Sequence, residues 1–455
     1  MVRPWIALAV ALLAAGGPAP AQEEPADESG AQAASDGGFA FDFGIEVKAH
    51  HRDSDANRFP VNFPFRPIEL PPGQSRAFLE TVDAGSHLEV SSATLLLNAA
   101  WRESFAAHAK VDFVDRYDRN PTSTDREWDI DEAWLRLGRE APVATVTERL
   151  GAYLKAGKFG KFERQDDRHL ESYGLVSTAF NRFEDAGVEV GVDLGYLYLK
   201  GSATRGNPVF MRDPNALAGD NGTPVFRRPN PQPDLKSGIV VPYDAEIEDL
   251  DLGDELELGA GIGFRAGDAA GRFGLDLLAW SYGRKLAETV ELHGTFYGGD
   301  LDLLDGPVHR PTPSPDLAGD EKREVGANLW LYAGGLTLFA QVVDQELAGL
   351  DRTGVEAELA WAFDLPLWGA VAGRQLFPFV APAVRWSRLD PDFRNHPQTP
   401  SPSFAWEWEK LDYGVRLGVL EGIELTLERA DNSFTLGSGA EASNDETLAT
   451  LRWRL

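Results

Sequence analysis

Residues 39–50 read FAFDFGIEVKAH, and the pattern of this stretch indicates the fold. Apolar side chains occupy every second position, and the positions between them carry Asp42, Glu46, Lys48 and His50. An alternation of this kind gives a β-strand one apolar face and one wet face. The same period of two recurs at residues 105–113, 185–194, 256–264, 355–363 and 451–455. The chain is therefore predicted to be all-β.

The period of two predicts about sixteen strands, each near the roughly nine to eleven residues that a tilted membrane-crossing strand needs. The predicted strands are 39–51, 87–102, 105–117, 127–138, 149–159, 184–194, 196–204, 254–265, 271–283, 322–333, 336–347, 352–363, 376–389, 404–419, 422–431 and 444–455. An even number of such strands suits a closed antiparallel barrel.

The links between the predicted strands alternate in length. Most links on one side are long and rich in Pro, Gly, Asp and Asn, and most on the other side are tight. Links 348–351, 139–148 and 364–375 break the alternation. Outer-membrane barrels combine long extracellular loops with short periplasmic turns. The sequence therefore predicts a transmembrane antiparallel up-and-down β-barrel of about 16 (16–18) strands.

Tryptophans fall on both faces of the predicted strands. Trp101, Trp361, Trp386 and Trp453 lie on predicted exterior faces, where interface anchors are expected. Trp134, Trp280 and Trp330 point inward on the same registers. Either these registers slip by one residue, which moves every side chain to the other face, or the three tryptophans line the lumen.

Composition excludes several classes of protein. The chain has 455 residues, no cysteine and a formal net charge of -29. Without cysteine there can be no disulfide scaffold, thiolate metal site or cysteine nucleophile. A nucleic-acid partner is excluded by the acidic balance, because such a partner requires a basic face. Since no later segment offers 18 consecutive apolar residues, a helical inner-membrane protein is excluded as well.

The N-terminal residues predict the compartment. Arg3, the apolar run 6–15 and the motif Ala19-Pro20-Ala21 match a secretory signal peptide at 1–21. Residues 22–38 are small and acidic and are predicted to be a disordered lead-in. The barrel domain then spans 39–455. The predicted location is the outer membrane of a Gram-negative bacterium.

Several short motifs resemble a known family of outer-membrane channels. They are DIDEAWLRLG (129–138), YLKAGKFGKF (153–162), FNRFEDAGVEVG (180–191), ELAWAFDLP (358–366) and FPFVAPAVRWSRLDPDF (377–393). Together they resemble the Gram-negative porins typified by the phosphate-selective porins O and P. The pair KAGKFGKF and RFEDAGVEV is also similar to the alginate-export type of barrel. The resemblance implies a channel of sixteen to eighteen strands, trimeric in the first type and monomeric in the second.

Charged side chains on the predicted lumen face are candidates for a pore constriction or solute-binding site. On the strands these candidates are Lys110, Glu132, Lys155, Glu189, Arg385, Arg416 and Arg452. Acids outnumber bases on this face, and rings of carboxylates in a pore favour cations. The bases concentrate on strands that become neighbours if the last strand pairs with the first. This predicts a basic wall facing an acidic one, and the alternative is a set of ordinary solvated charges.

The link 160–183 is the predicted constriction loop. With the end of the preceding strand, it interleaves aromatic residues with Lys158, Lys161, Arg164, Arg168 and Arg182. Arginine presents a bidentate fork to carboxylate or phosphate, and aromatic faces suit sugar rings. If the loop is inserted into the lumen, it could select an anionic or glycosidic solute. The alternative is a lid folded on the outside, whose own acids neutralise these bases.

The residues give no indication of catalysis. Eight histidines are scattered without an H-E-x-x-H pair, and no G-x-S-x-G elbow is present. The acidic segment 244–257 lacks the spacing of a calcium-binding EF-hand loop, which favours a solvated loop over a metal site. The sequence predicts a protein that is not an enzyme and that has no cofactor and no metal.

Two functions from different classes remain. The first is a passive or solute-selective diffusion channel for small hydrophilic solutes and ions. The second is a barrel plugged by the long links 205–253 and 284–321, acting in surface contact or in alginate-like polysaccharide export. The predicted partners are outer-membrane lipid, lipopolysaccharide, small hydrophilic solutes and, in the trimeric alternative, further copies of the chain.

Overall fold

A computed structural model describes most of the predicted barrel domain. The described residues are 38–55, 58–61, 77–80, 85–102, 104–115, 129–146, 150–165, 168–172, 174–180, 184–206, 211–212, 239–241, 256–268, 272–285, 293–295, 321–347, 349–392, 407–435 and 441–455. The predicted signal peptide and nearly all of the predicted lead-in lie outside these ranges, so both stay predictions.

The described chain is almost entirely β-strand, with one short helix. The strands are β1 (Phe39–Ser54), β2 (Arg58–Val61), β3 (Ala77–Glu80), β4 (Gly85–Trp101), β5 (Phe105–Asp115), β6 (Asp129–Gly138), β7 (Gly151–Phe159), β8 (Asp185–Asp193), β9 (Leu197–Thr204), β10 (Met211–Arg212), β11 (Ile239–Val241), β12 (Glu257–Gly267), β13 (Phe273–Lys285), β14 (His293–Thr295), β15 (Glu321–Ala333), β16 (Leu336–Leu347), β17 (Leu350–Trp361), β18 (Phe363–Asp364), β19 (Ala370–Val371), β20 (Arg374–Gln375), β21 (Phe379–Pro391), β22 (Glu407–Leu420), β23 (Ile423–Thr435) and β24 (Glu441–Arg454), and the helix is α1 (Leu175–Ala179). Among these residues no helix is long and apolar enough to cross a membrane.

One antiparallel sheet closes on itself to form the barrel. Its order is β1-β4-β5-β6-β7-β8-β9-β12-β13-β15-β16-β17-β21-β22-β23-β24, and β1 pairs with β24 as well as with β4. β17 and β18 follow one another along the same neighbour, β21, and together count as one strand of the barrel. The described barrel therefore has sixteen strands. Closure leaves no sheet edge with unpaired backbone groups, which a membrane does not tolerate.

The predicted sixteen-stranded barrel is confirmed strand by strand. The largest difference in bounds is the end of β23, expected at 431 and found at Thr435. The predicted alternation of links also holds: β4–β5, β8–β9, β15–β16 and β22–β23 are joined by short turns. We call the rim of these turns periplasmic and the opposite rim extracellular, following the convention of outer-membrane barrels.

The two faces of the barrel wall differ as the alternation requires. Outward positions are apolar and exposed, for example Phe43, Ile262 and Leu427. Trp101, Trp386 and Trp453 are also exposed there, as expected of interface anchors. The outer wall therefore presents the apolar, aromatic-edged surface of a lipid-facing barrel.

The three inward tryptophans lie in the lumen, so the predicted registers do not slip. Trp134, Trp280 and Trp330 are each at most 9% exposed. Trp280 donates from its indole nitrogen to Asn328 Oδ1 at 2.9 Å, which satisfies its buried N–H group.

Small sheets lie within the links. β2 pairs with β3, and β10, β11 and β14 form a three-stranded sheet from the two longest links. β10 lies against α1, the helix of the link 160–184. A part of one long link therefore meets the helix of another.

The periplasmic link after β6 turns inward instead of forming a tight turn. The amide of Ala141 donates to Asp193 at 3.3 Å, and the amide of Ala144 donates to Asp276 at 3.0 Å. Ala141 and Ala144 are buried by this contact. The extra length of this link, an exception to the predicted alternation, thus covers part of the periplasmic mouth beside β8 and β13.

Ile262 tests the assignment of the outer face. It lies midway along β12, opposite Leu199 and Ala279 of the neighbouring strands, and is 56% exposed. An arginine on the lipid face near the bilayer midplane costs about 2–4 kcal/mol. Ile262→Arg should therefore lower the free energy of unfolding in lipid vesicles by that amount, measured by denaturant titration. Ile262→Val is the control, and equal stabilities of the two variants would contradict an outward Ile262.

Candidate functional site: a loop inserted into the lumen

The link 160–184 enters the lumen directly after β7. Lys161 forms an ion pair with Glu257 of β12, and its ammonium lies 4.6 Å from the centre of the Tyr282 ring. The Glu163 carboxylate accepts a hydrogen bond from the Tyr282 hydroxyl at 2.6 Å. The Glu163 carbonyl accepts another from Asn328 Nδ2 at 2.5 Å. The first part of the loop is thus bound to β12, β13 and β15, three to five strands along the barrel from β7.

The middle of the loop is held by wall carboxylates that accept from its backbone. The amide of His169 donates to Glu358 Oε1 at 2.8 Å. The amides of Glu171 and Ser172 both donate to Glu428, at 2.7 and 2.9 Å. Backbone N–H groups placed inside a barrel need acceptors, and an ionised carboxylate is a strong one.

Arg385 also attaches the loop to the wall, but as a donor to the loop backbone. Its guanidinium donates to the Ser172 carbonyl at 2.6 Å and to Asp412 at 2.9 Å, and it lies 3.4 Å from Glu358. Arg385 and Asp412 are fully buried. Removing one member of a buried ion pair costs about 3–5 kcal/mol because the other charge is left unpaired. Arg385 therefore fixes the loop to the wall and does not face solvent.

Helix α1 packs into the wall of β17 and β21. Leu175, Val176 and Ala179 are completely buried, and Phe180 is nearly so. The amide of Leu175 donates to Ser387 Oγ at 3.3 Å, and that of Val176 to Glu356 at 3.4 Å. Each large apolar side chain buried in this way contributes about 1.5–3 kcal/mol. The predicted insertion of the loop is therefore what the described residues show, and the external lid is not.

Two glycines allow the close approach of loop and wall. A Cβ on Gly174 would lie 1.6 Å from Glu356 Oε2, the acceptor at the start of α1. A Cβ on Gly354 of β17 would lie 2.5 Å from the Phe180 ring. A larger residue at either position would therefore force Glu356 or Phe180 to move from its place in the contact between loop and wall.

Glu171 lies among three bases that come from β1, β22 and β24. Its carboxylate is 2.5 Å from Arg452, and 3.6 Å from both Arg416 and Lys48. We call these four residues the Glu171 cluster. Burial alone would raise the pKa of Glu171, but the ion pairs with Arg452, Lys48 and Arg416 hold its pKa well below the usual range. Two predicted site residues, Arg416 and Arg452, thus meet a loop carboxylate.

The remaining wall candidates lie on β5 to β8. Lys155 lies 3.8 Å from Glu189, which accepts from the Tyr153 hydroxyl at 2.6 Å. Lys110 forms an ion pair with Asp131. Glu132 lies 3.9 Å from His108 and accepts from the Trp134 indole at 3.3 Å.

The other predicted loop bases have different fates. Arg164 forms an ion pair with Glu184, and the carbonyl of Arg168 accepts from Arg416 at 2.9 Å. Lys158 is not a loop residue: it lies in β7 on the outward register of Leu154 and Ala156, and donates to the Ile130 carbonyl at 2.8 Å. Because side chains alternate along a strand, Lys158 and Lys155 lie on opposite faces of the barrel wall. Arg182 lies outside the described residues, as does most of the acidic segment 244–257.

A carboxylate trio is the only described group of donors that could hold a metal ion. Oxygens of Asp131, Glu132 and Glu184 lie within 4.8 Å of one another. Lys110 and Arg164 already form ion pairs with two of these carboxylates. The positive charge that the trio requires is therefore supplied by the chain, and we assign no metal to it.

Loop insertion changes which lumen charges face solvent. The acids nearest the loop are at most 4% exposed: Glu257, Glu324, Glu356, Glu358, Asp412 and Glu428. Other charges keep part of their side-chain surface exposed, and one set of them lies on β1 and on β5 to β9: Glu46, Lys48, Lys110, Asp131, Glu132, Arg136, Lys155 and Lys200. We call this second set the wet wall. The prediction of a cation-favouring lumen counted these hidden acids together with the exposed ones. The wet wall itself consists of five bases and three acids.

One functional candidate was not found from the sequence. Glu140, in the inward-turned periplasmic link, lies 2.9 Å from Lys200, 3.2 Å from Arg136 and 3.4 Å from Lys155. We call these four residues the Glu140 cluster. The signal in the sequence is slight: a glutamate two residues after the end of β6, in a link longer than its neighbours.

The fold and the inserted loop define the class of the protein as a sixteen-stranded transmembrane β-barrel whose lumen is narrowed by one of its own loops. Solved structures with a similar course of the chain include OmpT, an outer membrane protein of Vibrio cholerae, with a TM-score of 0.47 at 10% identity, covering 92% of this chain and 98% of that one. The outer membrane channel DcaP of Acinetobacter baumannii has a TM-score of 0.46 at 10% identity, with 92% and 98% covered. OprB of Pseudomonas putida has a TM-score of 0.47 at 10% identity, with 92% and 95% covered.

No protein-family model and no curated protein sequence matches the chain. The resemblance to the phosphate-selective porins O and P therefore stays a prediction. The assignment to the class of transmembrane barrels rests on the strand pairing of this chain itself.

Glu171→Gln tests the attachment of the loop to β1, β22 and β24. The variant keeps the shape of the side chain and removes the charge that pairs with Arg452, Arg416 and Lys48. We expect the free energy of unfolding to fall by about 3 kcal/mol, as for other ion pairs broken at one partner. Denaturant titration in vesicles measures the loss. Ser177→Ala, on the partly exposed side of α1 in the same loop, is the control, and an equal effect of both variants would contradict the attachment.

The same variant predicts a pH dependence. Because the pKa of Glu171 in the folded protein is held below its ordinary value of 4.5, the stabilisation is complete above that value and is lost only as the pH falls through the lower folded pKa. The stability difference between wild type and Glu171→Gln should therefore be the same at about pH 7 and about pH 5. Unfolding curves at both pH values measure it. A difference that vanishes by about pH 5 would show that Glu171 is not held in its charged form.

Proposed function

We propose that the chain is an outer-membrane diffusion channel of a Gram-negative bacterium, for small hydrophilic solutes and ions. The observation that carries the proposal is the inserted loop, which covers the wall from β12 to β24 and leaves the wet wall partly exposed. A barrel that served only as an anchor would have no need of a loop fixed across its lumen by buried ion pairs. Such a loop is suited to setting the width and the charge of a permeation path.

The wet wall supports a path for charged or polar solutes. Lys48, Lys110 and Arg136 keep 28%, 31% and 21% of their side-chain surface exposed. The exposed carboxylates are close to them, as in the 3.5 Å pair of Lys48 with Glu46. Mixed charges at short spacing exclude apolar solutes and allow ions of either sign. Selectivity is then set by single residues of this wall and not by the net charge of the whole chain.

The location and assembly belong to the same proposal. The predicted signal peptide at 1–21 would deliver the chain across the inner membrane, and the apolar outer wall would contact lipid and lipopolysaccharide. One of the similar structures is described as a trimer form of OmpT. A homotrimer of this chain is the corresponding proposal, and phosphate is one of the solutes to be tested because of the resemblance noted in the sequence.

A plugged barrel is the second candidate, and one observation favours it. The sheet of β10, β11 and β14 is built from the two longest links, and β10 lies against α1. If these links fill the rest of the lumen, the barrel would serve in surface contact or in gated polysaccharide export. Such a barrel would show no stepwise openings in a planar bilayer.

Single-channel recording separates the two candidates, and a deletion tests the role of the loop. We expect stepwise openings from the wild-type chain. Deleting residues 163–175 removes Glu163, Glu171 and Ser172, through which the loop is bound to both sides of the wall. The shortened loop can no longer cross the lumen, so the conductance should rise. Unchanged conductance would mean that the loop does not border the permeation path, and the Ser177→Ala channel is the control.

A further inference from the structure

The Glu140 cluster has the composition of a carboxylate-binding site that is already occupied by a carboxylate of the chain. Arg136 comes from β6, Lys155 from β7 and Lys200 from β9. All three point into the lumen and converge on the two oxygens of Glu140: Lys200 on Oε1, and Arg136 and Lys155 on Oε2. Bases from three strands therefore form a preorganised cradle for one carboxylate group.

The occupant of this cradle lies on a link and not on a barrel strand. Glu140 lies in the inward-turned link, where the neighbouring amides of Ala141 and Ala144 donate to Asp193 and Asp276. The cradle and its occupant are thus separate parts of the chain. Substituting Glu140 leaves the three bases in place on their strands.

The cradle is open to solutes in the lumen. The side chains of Arg136, Glu140, Lys155 and Lys200 are 21%, 15%, 14% and 13% exposed. Glu140 also leaves one donor unused: the buried Nε–H of Arg136 has no hydrogen-bond partner among the residues described. A solute carboxylate could take this donor as well as those that Glu140 uses.

Aromatic rings form the floor of the cradle. The ammonium of Lys155 lies 5.3 Å from the centre of the Trp134 ring, and that of Lys200 lies 5.8 Å from the centre of the Tyr153 ring. Cations placed over aromatic faces are held in position without being neutralised. The bases therefore keep their geometry, and their charge remains available, when the carboxylate is exchanged.

We propose that Arg136, Lys155 and Lys200 form a binding site for the carboxylate group of a small anionic solute, and that Glu140 is its built-in competitor. The site lies at the periplasmic end of the wet wall, and the proposal rests on the channel function proposed above. Glu140 keeps the site mostly filled, so a solute is held weakly and passes on. Without Glu140, positive charge is left uncompensated in a partly buried place, and anions from the lumen bind there.

Glu140→Gln tests the competitor. The probe is potassium acetate, added to single channels that conduct chloride, with acetamide as the uncharged comparison. If Glu140 fills the site for about nine-tenths of the time, its removal should lower the apparent Kd for acetate by about tenfold. We expect saturable block by acetate in the variant, weak block in wild type, and no block by acetamide in either.

Glu132→Gln is the matched control. It removes the same charge from the same wall, and its side-chain exposure of 17% is close to that of Glu140. A general change in lumen charge would shift the ion selectivity of both variants alike, whereas only Glu140→Gln should gain saturable acetate block. Adding Lys200→Gln to Glu140→Gln should weaken the block again.

The outcomes distinguish this inference from the proposed channel. Equal acetate dependence in wild type, Glu132→Gln and Glu140→Gln would overturn the binding site but not the channel. Absence of any openings in wild type would overturn the channel. Should Glu140→Gln fail to assemble, Glu140→Ala repeats the measurement with a side chain that has no polar atoms.

Discussion

Backbone N–H groups carried into the lumen of a barrel need acceptors, and the rest of this site depends on how the chain supplies them. Glu358 and Glu428, on strands far from the loop in sequence, accept from the amides of His169, Glu171 and Ser172. These carboxylates are buried, because the loop covers them. Once they are occupied, the loop is fixed, one side of the barrel wall is covered, and the charges on β1 and β5 to β9 stay partly exposed in the lumen.

The period of two was enough to predict the barrel, since each strand carries its own evidence for which face is apolar. It also placed Trp134, Trp280 and Trp330 inward, against the simpler expectation that large aromatic residues face lipid. The loop contacts could not be read in this way. Glu171 and Glu428 are 257 positions apart, and nothing local to either residue indicates the other. Lys158 was grouped with the loop bases because it stands next to them in the sequence. Its position in β7, three residues after the inward Lys155, already put it on the outer face.

Charge in this lumen is organised by neutralisation at close range. Each inward-turned link brings one carboxylate to three wall bases, Glu171 to Lys48, Arg416 and Arg452, and Glu140 to Arg136, Lys155 and Lys200. The barrel wall thus carries bases whose counter-ions are delivered by other segments of the chain. A net charge of -29 says little about such a lumen, because the acids that face solvent and those that hold the loop are different residues.

The pairing of β1 with β24 has a consequence for the order of events during folding. Closure joins residues near the two ends of the domain, such as Glu46 and Arg454, so the barrel cannot be complete until the last strand is present. The loop after β7 is made early, yet its receiving wall consists of strands made late, including β21 to β24. The contacts of the loop with β22 to β24 therefore form only after those strands have been made, and contacts of high sequence separation make such a step slow. Until then the amides of Glu171 and Ser172 and the carboxylate of Glu428 need other hydrogen-bond partners, which water can supply.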